Sequence, residues 1–226
     1  QQTLDVVRAF PDEFRVVGLS TDTNVELLEQ QIQEFRPQVV SLREPSSKTP
    51  KLPPDCQVIP LDMLAAHPET DLVVMAIVGH AGLSPTMQAI RAGKAIALAN
   101  KEIMVMAGAL IQEASNWWGS SILPLDSEPS AIWQCLRGEE QEISRLIITA
   151  SGGAFRGKAK EDLETVTPDQ ALRHPTWNMG KKITIDSATL VNKAFEVIEA
   201  HWLFEVDWDR IEVVIHPQSI IHSMVE

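Results

Sequence analysis

Asp126-Ser127-Glu128 directly follows the apolar run ILPL. Carboxylates at i and i+2 that close a strand lie at the carboxyl edge of a parallel sheet, where ligands bind in such folds. Two close carboxylates raise each other's pKa unless a cation joins them, and a hard divalent ion such as Mg²⁺ or Mn²⁺ suits oxygen donors. The tripeptide alone reads more readily as a helix start, with Asp126 or Ser127 as N-cap and Pro129 in the first turn. Ser151-Gly152-Gly153 follows a second apolar run, IITA. Glycines beside a hydroxyl let backbone amides cradle a phosphate, although an ordinary tight turn is the commoner explanation of such a pair. The densest group is His174 to Gly180, then Asp186-Ser187-Ala188-Thr189, Asn192-Lys193 and Glu196. Asn192 and Glu196 are i, i+4 neighbours on one helix face. Lys193 and Ser187, near a helix start, would suit a phosphate, and Glu196 could reach a metal shared with Asp126 and Glu128. The plainer alternative pairs Lys193 with Asp186 or Glu196 on a solvated face and makes Trp177 a hydrophobic anchor. Lys101 in Ala99-Asn100-Lys101-Glu102 also follows a strand; it could hold an oxyanion, or the segment could simply start a helix.

The elements that must position these groups are legible from periodicity. Strands are expected at Phe14–Leu19, Gln38–Leu42, Cys56–Ile59, Asp71–Val78, Lys94–Ala99 and Ile122–Leu125. Helices are expected at Asn24–Phe35, after a cap at Asp62, at Ser84–Ala92 with Pro85 in its first turn, and from Lys101 to about Trp117. Residues 44–54 read as a Pro-, Ser- and Lys-rich surface loop. This alternation implies an α/β, Rossmann-like, mostly parallel sheet covered on both faces. Beyond residue 125 the texture changes to α+β, with strands expected at Ile143–Thr149, Ile183–Ile185 and Ile211–Ile215, a helix at Ala131–Leu136 and a long one at Leu190–Phe204. The expected division is therefore an α/β domain over 1–125 and an α+β domain over 126–226.

With 19 basic and 31 acidic residues, the net charge of −12 argues against capture of nucleic acid. Apolar stretches such as Leu72–Val78 are too short to span a bilayer. Cys56 and Cys135 form neither a disulfide framework nor a metal motif and suit a reducing compartment; Cys135 is expected in the core. His67, His80, His201, His216 and His222 lack metal spacing, and His201 is expected to pack or hydrogen-bond locally.

The ordered set LANKE (98–102), LPLDSEPSAIWQ (123–134), TASGGAFR (149–156), HPTWNMGKKITIDSATLVNKAFEVIEA (174–200) and IHPQSIIHSM (215–224) resembles the 1-deoxy-D-xylulose 5-phosphate reductoisomerase family. The resemblance implies a cofactor domain, a catalytic domain and a C-terminal helical domain in a homodimer, acting on a sugar phosphate with NADPH and Mg²⁺ or Mn²⁺. It places the metal on Asp126, Glu128 and Glu196, and the substrate's oxygens near Ser127 and Lys101. Ser151, Ser187, Asn192 and Lys193 would hold the phosphate, with His174 closing over it and Trp177 in a flap. Asn24, Asn100, Glu102 and Gly180 would line the cofactor side. The expected setting is the bacterial cytoplasm, a plastid-type compartment being the alternative.

Three departures from the family pattern stand out. The family's opening strand and GxTGxxG turn are expected upstream of Gln1, as its remaining catalytic and helical parts are beyond Glu226. Asp22 stands in the turn before Asn24, where an acid favours a free ribose hydroxyl over a 2′-phosphate. Pro129 replaces a His beside the metal pair. Two other readings are a non-catalytic remnant that keeps the metal and sugar-phosphate pocket, and another nucleotide-dependent dehydrogenase of the semialdehyde-reductase kind. The second needs neither the carboxylate trio nor the Ser187/Asn192/Lys193 group.

Overall fold

The computed structural model describes residues 1–42 and 50–226. The loop expected at 44–54 therefore lies mostly outside the described residues; 50–54 run without helix or strand. Contacts group the chain into two units, residues 1–97 with 113–122, and residues 98–112 with 123–226.

The first unit is α/β. It holds α1 (Gln2–Ala9), β1 (Gly18–Thr21), α2 (Val25–Phe35), β2 (Val39–Leu42), β3 (Gln57–Val58), α3 (Leu61–Ala65), β4 (Leu72–Met75) and α4 (Leu83–Arg91). Strands β1, β2 and β3 pair in parallel in that order, with Gly18 opposite Val39 and Val39 opposite Gln57. Helix α2 buries Leu28 and Ile32 against Val40 and Cys56. That is the pattern of an amphipathic helix covering a parallel sheet. The first strand is displaced from the expected Phe14–Leu19 to Gly18–Thr21, because the ladder continues through Ser20 opposite Ser41 and Thr21 opposite Leu42. Backbone pairing decided this boundary, not apolarity. Pro60, not Asp62, is the N-cap of α3; Asp62 sits in the first turn and accepts from Ser84 Oγ at 2.7 Å.

Strand β5 (Ala95–Leu98) lies between β4 and β6 (Ile122–Pro124). Ile96 N donates to Ser121 O at 2.8 Å and Leu125 N to Leu98 O at 2.9 Å, so β5 and β6 advance together as parallel neighbours do. Helix α5 (Lys101–Trp118) breaks at Ala107, whose backbone leaves helical geometry.

The second unit continues with α6 (Ser127–Leu136), β7 (Leu146–Ala150), α7 (Pro168–Ala171), α8 (Lys181–Ala188), α9 (Val191–Phe204), β8 (Ile211–Ile215) and β9 (Ser223–Val225). β7 is central, parallel to β8 and antiparallel to β9, with Leu146 opposite both Ile211 and Val225. The core gathers Ile132 of α6, Leu146 and Ile148 of β7, and Ala200 of α9.

Two expectations fail in this unit. Ile183–Ile185 is not a strand but the middle of α8. Thr184 both donates its amide to Gly180 O at 3.1 Å and ties its hydroxyl there at 2.8 Å, and Ser187 Oγ bonds Ile183 O at 2.7 Å. Those back-bonds satisfy β-branched and polar side chains inside a helix. Cys135 is exposed, because Ile132 and Leu136 take the inward stripe of α6. His201 behaves as expected: Nδ1 lies 2.7 Å from Val206 O and the ring stacks on Trp208 at 3.7 Å between centroids. Among the described residues no helix is long and apolar enough to cross a membrane.

Candidate active site

Because β5 and β6 run side by side, the residues after each strand emerge together. Asn100 opens α5, accepting from Ile103 N at 3.3 Å, and places Lys101 in the first turn. Asp126 is the N-cap of α6 and accepts from Ser127 N at 3.0 Å. The helix-start reading thus holds, and the cap residue keeps its second oxygen for the carboxylate cluster. Helix α9 brings the third wall.

One oxygen each from Asp126, Glu128 and Glu196 lie within 4.8 Å of one another. Glu196 is only 1% exposed. The ammonium of Lys101 bonds Asp126 and reaches Glu196 Oε1 at 3.3 Å. That of Lys193 bonds Glu196 and reaches Glu128 Oε1 at 2.9 Å. Asn192 Nδ2 donates to Glu196 Oε1 at 2.6 Å, and Ser127 Oγ to Glu128 Oε2 at 2.7 Å. Three carboxylates face two ammoniums, leaving an excess of one negative charge.

Burial pushes the Glu196 carboxyl up to about 7; Lys193 pulls against it, while the repulsion of Glu128 adds to it. Burial would lower Lys101, but Glu196 and Asp126 outweigh it and hold the ammonium more firmly protonated than usual. A unit charge pair at 4 Å is worth about 4 kcal/mol at an effective dielectric of about 20. Two such contacts per lysine are of the size needed to offset desolvation. A cluster with excess negative charge, filled by side-chain cations, is chemically suited to a hard divalent ion.

The adjoining side of the site is built by the turn after β7. Gly152 (φ 102°) and Gly153 (φ 70°) take left-handed backbone, and Arg156 donates to Ser151 O at 2.6 Å. His174 Nδ1 accepts from Thr176 N at 3.1 Å and Trp177 N at 3.0 Å. That leaves the proton of the neutral ring on Nε2, 3.3 Å from Ser151 Oγ. Ser187 lies in the last turn of α8, rather than just before α9. These groups and the carboxylates share a cavity of about 380 Å³.

Burial, then the charge of Arg156, holds His174 below its ordinary 6.5. Its neutral form accepts the two backbone bonds, so it stabilises the 174–177 turn above about pH 6.5, and that contribution is lost as pH falls toward the lowered folded value. The amide signals of Thr176 and Trp177 are expected to titrate together with a midpoint below 6.5. A midpoint above 6.5 would contradict the assigned hydrogen bonds.

Nine of the expected metal and substrate residues line the cavity: Asp126, Ser127, Glu128, Ser151, His174, Trp177, Ser187, Asn192 and Lys193, joined by Glu196 as the tenth. Lys101 is not in the lining but touches two of its carboxylates. The residues expected on the cofactor side are elsewhere. Glu102 accepts from Lys182 at 2.8 Å, which holds its carboxyl below the ordinary range although burial alone would raise it. Gly180 is the N-cap of α8, and Asn24 caps α2 of the first unit, accepting from Leu27 N at 3.1 Å. The sequence reading missed Ser223, whose hydroxyl donates to Glu128 O at 3.1 Å, the cavity-lining His222, and the buried Glu199. Only Glu199 left a signal: a carboxylate on the stripe of α9 that carries Asn192 and Glu196.

Residues 1–108 match the family model described as 1-deoxy-D-xylulose 5-phosphate reductoisomerase, and residues 122–204 match that described as its C-terminal domain. A curated relative of that name from Thermoanaerobacter sp. (strain X514) is 54% identical over 233 residues, covering 100% of this chain and 61% of the relative. One from Bacillus cereus (strain Q1) is 53% identical over 232 residues with the same coverage. A crystal structure of DOX-P reductoisomerase in complex with NADPH, fosmidomycin and magnesium superposes with a TM-score of 0.87 at 37% identity, over 99% of this chain and 60% of that one. The Zymomonas mobilis enzyme in complex with NADPH gives 0.85 at 38%, with the same coverage. The chain spans about three fifths of the length of these relatives. Matches to both halves of the sequence, together with this fold, show that the chain belongs to the 1-deoxy-D-xylulose 5-phosphate reductoisomerase family.

Proposed function

We propose that this protein converts 1-deoxy-D-xylulose 5-phosphate to 2-C-methyl-D-erythritol 4-phosphate, using NADPH and Mg²⁺ or Mn²⁺. The observation that carries this reading is the convergence of Asp126, Glu128 and Glu196, within 4.8 Å of one another, on one cavity with Ser151 and His174. The family neighbours solved with NADPH and magnesium support it. Residues 1–125 would serve the dinucleotide and 126–226 the metal and substrate, in a homodimeric, cytoplasmic enzyme of bacterial type. Free Cys56 and Cys135 are compatible with such a reducing setting.

Asp126, Glu128 and Glu196 would hold the divalent ion, which when bound stabilises negative charge on the substrate's carbonyl and hydroxyl oxygens during carbon–carbon bond migration. NADPH supplies the hydride. Lys101 and Ser127 would orient the reacting oxygens. Ser151, Ser187, Asn192 and Lys193 would hold the phosphate, with His174 donating from Nε2. Lys193, which pairs with Glu128 and Glu196, would also present its ammonium to the phosphate. Trp177, 45% exposed at the cavity mouth, would close over the substrate and exclude water. Asn24, Asn100, Glu102 and Gly180 would serve the cofactor side, and Asp22 would weaken the preference for a 2′-phosphate.

The test is oxidation of NADPH by the full-length protein with deoxyxylulose phosphate. Turnover should require Mg²⁺ or Mn²⁺ and vanish on chelation. Undiminished turnover in excess chelator would overturn the metal assignment.

A further inference from the structure

Glu199 has no role in the reading above. It lies on α9 three residues beyond Glu196 and seven beyond Asn192, on the same stripe of the helix. Its side chain is fully buried, and neither carboxyl oxygen has a hydrogen-bond partner among the described residues. A desolvated carboxyl with no partner costs stability, so its presence needs a physical account. Asp126 at the start of α6, Glu102 of α5 and Glu196 of its own helix repel its charge, and Lys101 of α5 attracts it. Lys101 is the one cation among these.

Lys101, like Lys193, is a group that a divalent ion would disturb. Its ammonium is bonded to Asp126 and Glu196, two of the three carboxylates assigned to the ion, and these engage two of its three donors. An ammonium and a divalent ion repel, so they cannot share those oxygens cheaply. Lys101 is itself nearly buried, at 7% exposure, so it cannot simply withdraw into water. It needs another acceptor inside the protein. Glu199 supplies two.

We propose that Glu199 is a positioning residue for Lys101, the buried acceptor that takes up the ammonium when a divalent ion claims Asp126 and Glu196. Lys101 then remains in the site as a donor toward the substrate instead of competing with the ion. This inference rests on the metal assignment proposed above.

The test uses the full-length protein with Mn²⁺ alone, its binding followed by electron paramagnetic resonance without substrate or NADPH. Glu199→Met keeps the approximate shape and removes the acceptor; it is expected to weaken Mn²⁺ at least tenfold. Glu199→Gln keeps an acceptor and should stay within about threefold of wild type. In a Lys101→Met background, Glu199→Met should have no further effect, because the displaced ammonium is gone. Removing an unpartnered buried carboxyl favours folding, and Glu199→Leu gives the same readout should the Met variant misfold. Equal weakening by Glu199→Met with and without Lys101 would overturn the proposal, as would unchanged affinity in a wild-type background. Failure of the wild-type protein to bind Mn²⁺ would instead overturn the metal assignment itself, and this inference with it.

Discussion

Glu196→Gln is expected to abolish cation-dependent turnover while leaving the ion-free protein as stable as wild type, or more so. Glu196 is the node of the cluster, bonded by Asn192, Lys193 and Lys101 and almost inaccessible to water. Intuition says that cutting such a node unfolds the site. The charge count says otherwise. Lys101 keeps Asp126 and Lys193 keeps Glu128, so the variant has two carboxylates against two ammoniums, and neither lysine is orphaned. The amide also retains an oxygen for Asn192. What disappears is an acid whose folded pKa, about 7, stands above the ordinary 4.5, chiefly through burial. A group raised in this way binds more protons folded than unfolded, so its contribution is present below pH 4.5 and is lost as pH rises through about 7. Above that pH the ionised form opposes folding by on the order of 3 kcal/mol. Urea unfolding in chelator should therefore show a wild-type decline between about pH 4.5 and 7 that is smaller in the variant. Turnover of the full-length enzyme should fall roughly 10³-fold, the scale of removing one preorganised group that meets developing charge. A variant less stable than wild type at alkaline pH would refute this account of the cluster.

The convergence of that cluster was legible because it follows from chain geometry. Strand ends in a parallel sheet put Lys101 and Asp126 on one edge, and i, i+4 spacing puts Asn192 and Glu196 on one face. What spacing does not carry is which cation neutralises which anion. Lys193 reads either as a phosphate ligand near a helix start or as a partner of Glu196 on a solvated face; the pair with Glu196 is present but buried, and the second partner, Glu128, is set by tertiary charge balance. Ile183–Ile185 reads as a strand from β-branched content, and becomes helical because Gly180, an N-cap, offers its carbonyl to Thr184. Glu199 escaped notice for a related reason: a carboxylate on a helix is ordinarily solvated, and only burial reveals that this one is not. Cys135 erred in the other direction, since one residue's rotation on α6 decides between core and surface.

Gly153→Ala should be the most damaging of three alanine substitutions in the turn after β7, and it ties the fold to the side of the site proposed for the phosphate. All three glycines have left-handed backbone, so each loses roughly 1 kcal/mol to strain as alanine. They differ in what the new methyl meets. At Gly157 nothing lies within 4 Å, so only the strain is expected. At Gly152 the methyl would fall 2.5 Å from Arg156 Cδ, a flexible stem that can swing aside at the expense of its bond to Ser151 O. At Gly153 it would fall 2.0 Å from Ser187 O and 2.8 Å from the carbonyl carbon, which are backbone atoms of the last turn of α8. Backbone cannot yield without moving Ser187 away from Ser151, so about 3 kcal/mol or more is expected, the upper range for overpacking combined with strain. The denaturation midpoints should rank Gly157→Ala above Gly152→Ala above Gly153→Ala. The Michaelis constant for the phosphorylated substrate should rise in the reverse order and stay at the wild-type value for Gly157→Ala, whose site lies outside the cavity lining. If Gly153→Ala and Gly157→Ala proved equally stable and equally active, the close approach of this turn to α8 could not be what positions Ser151 and Ser187.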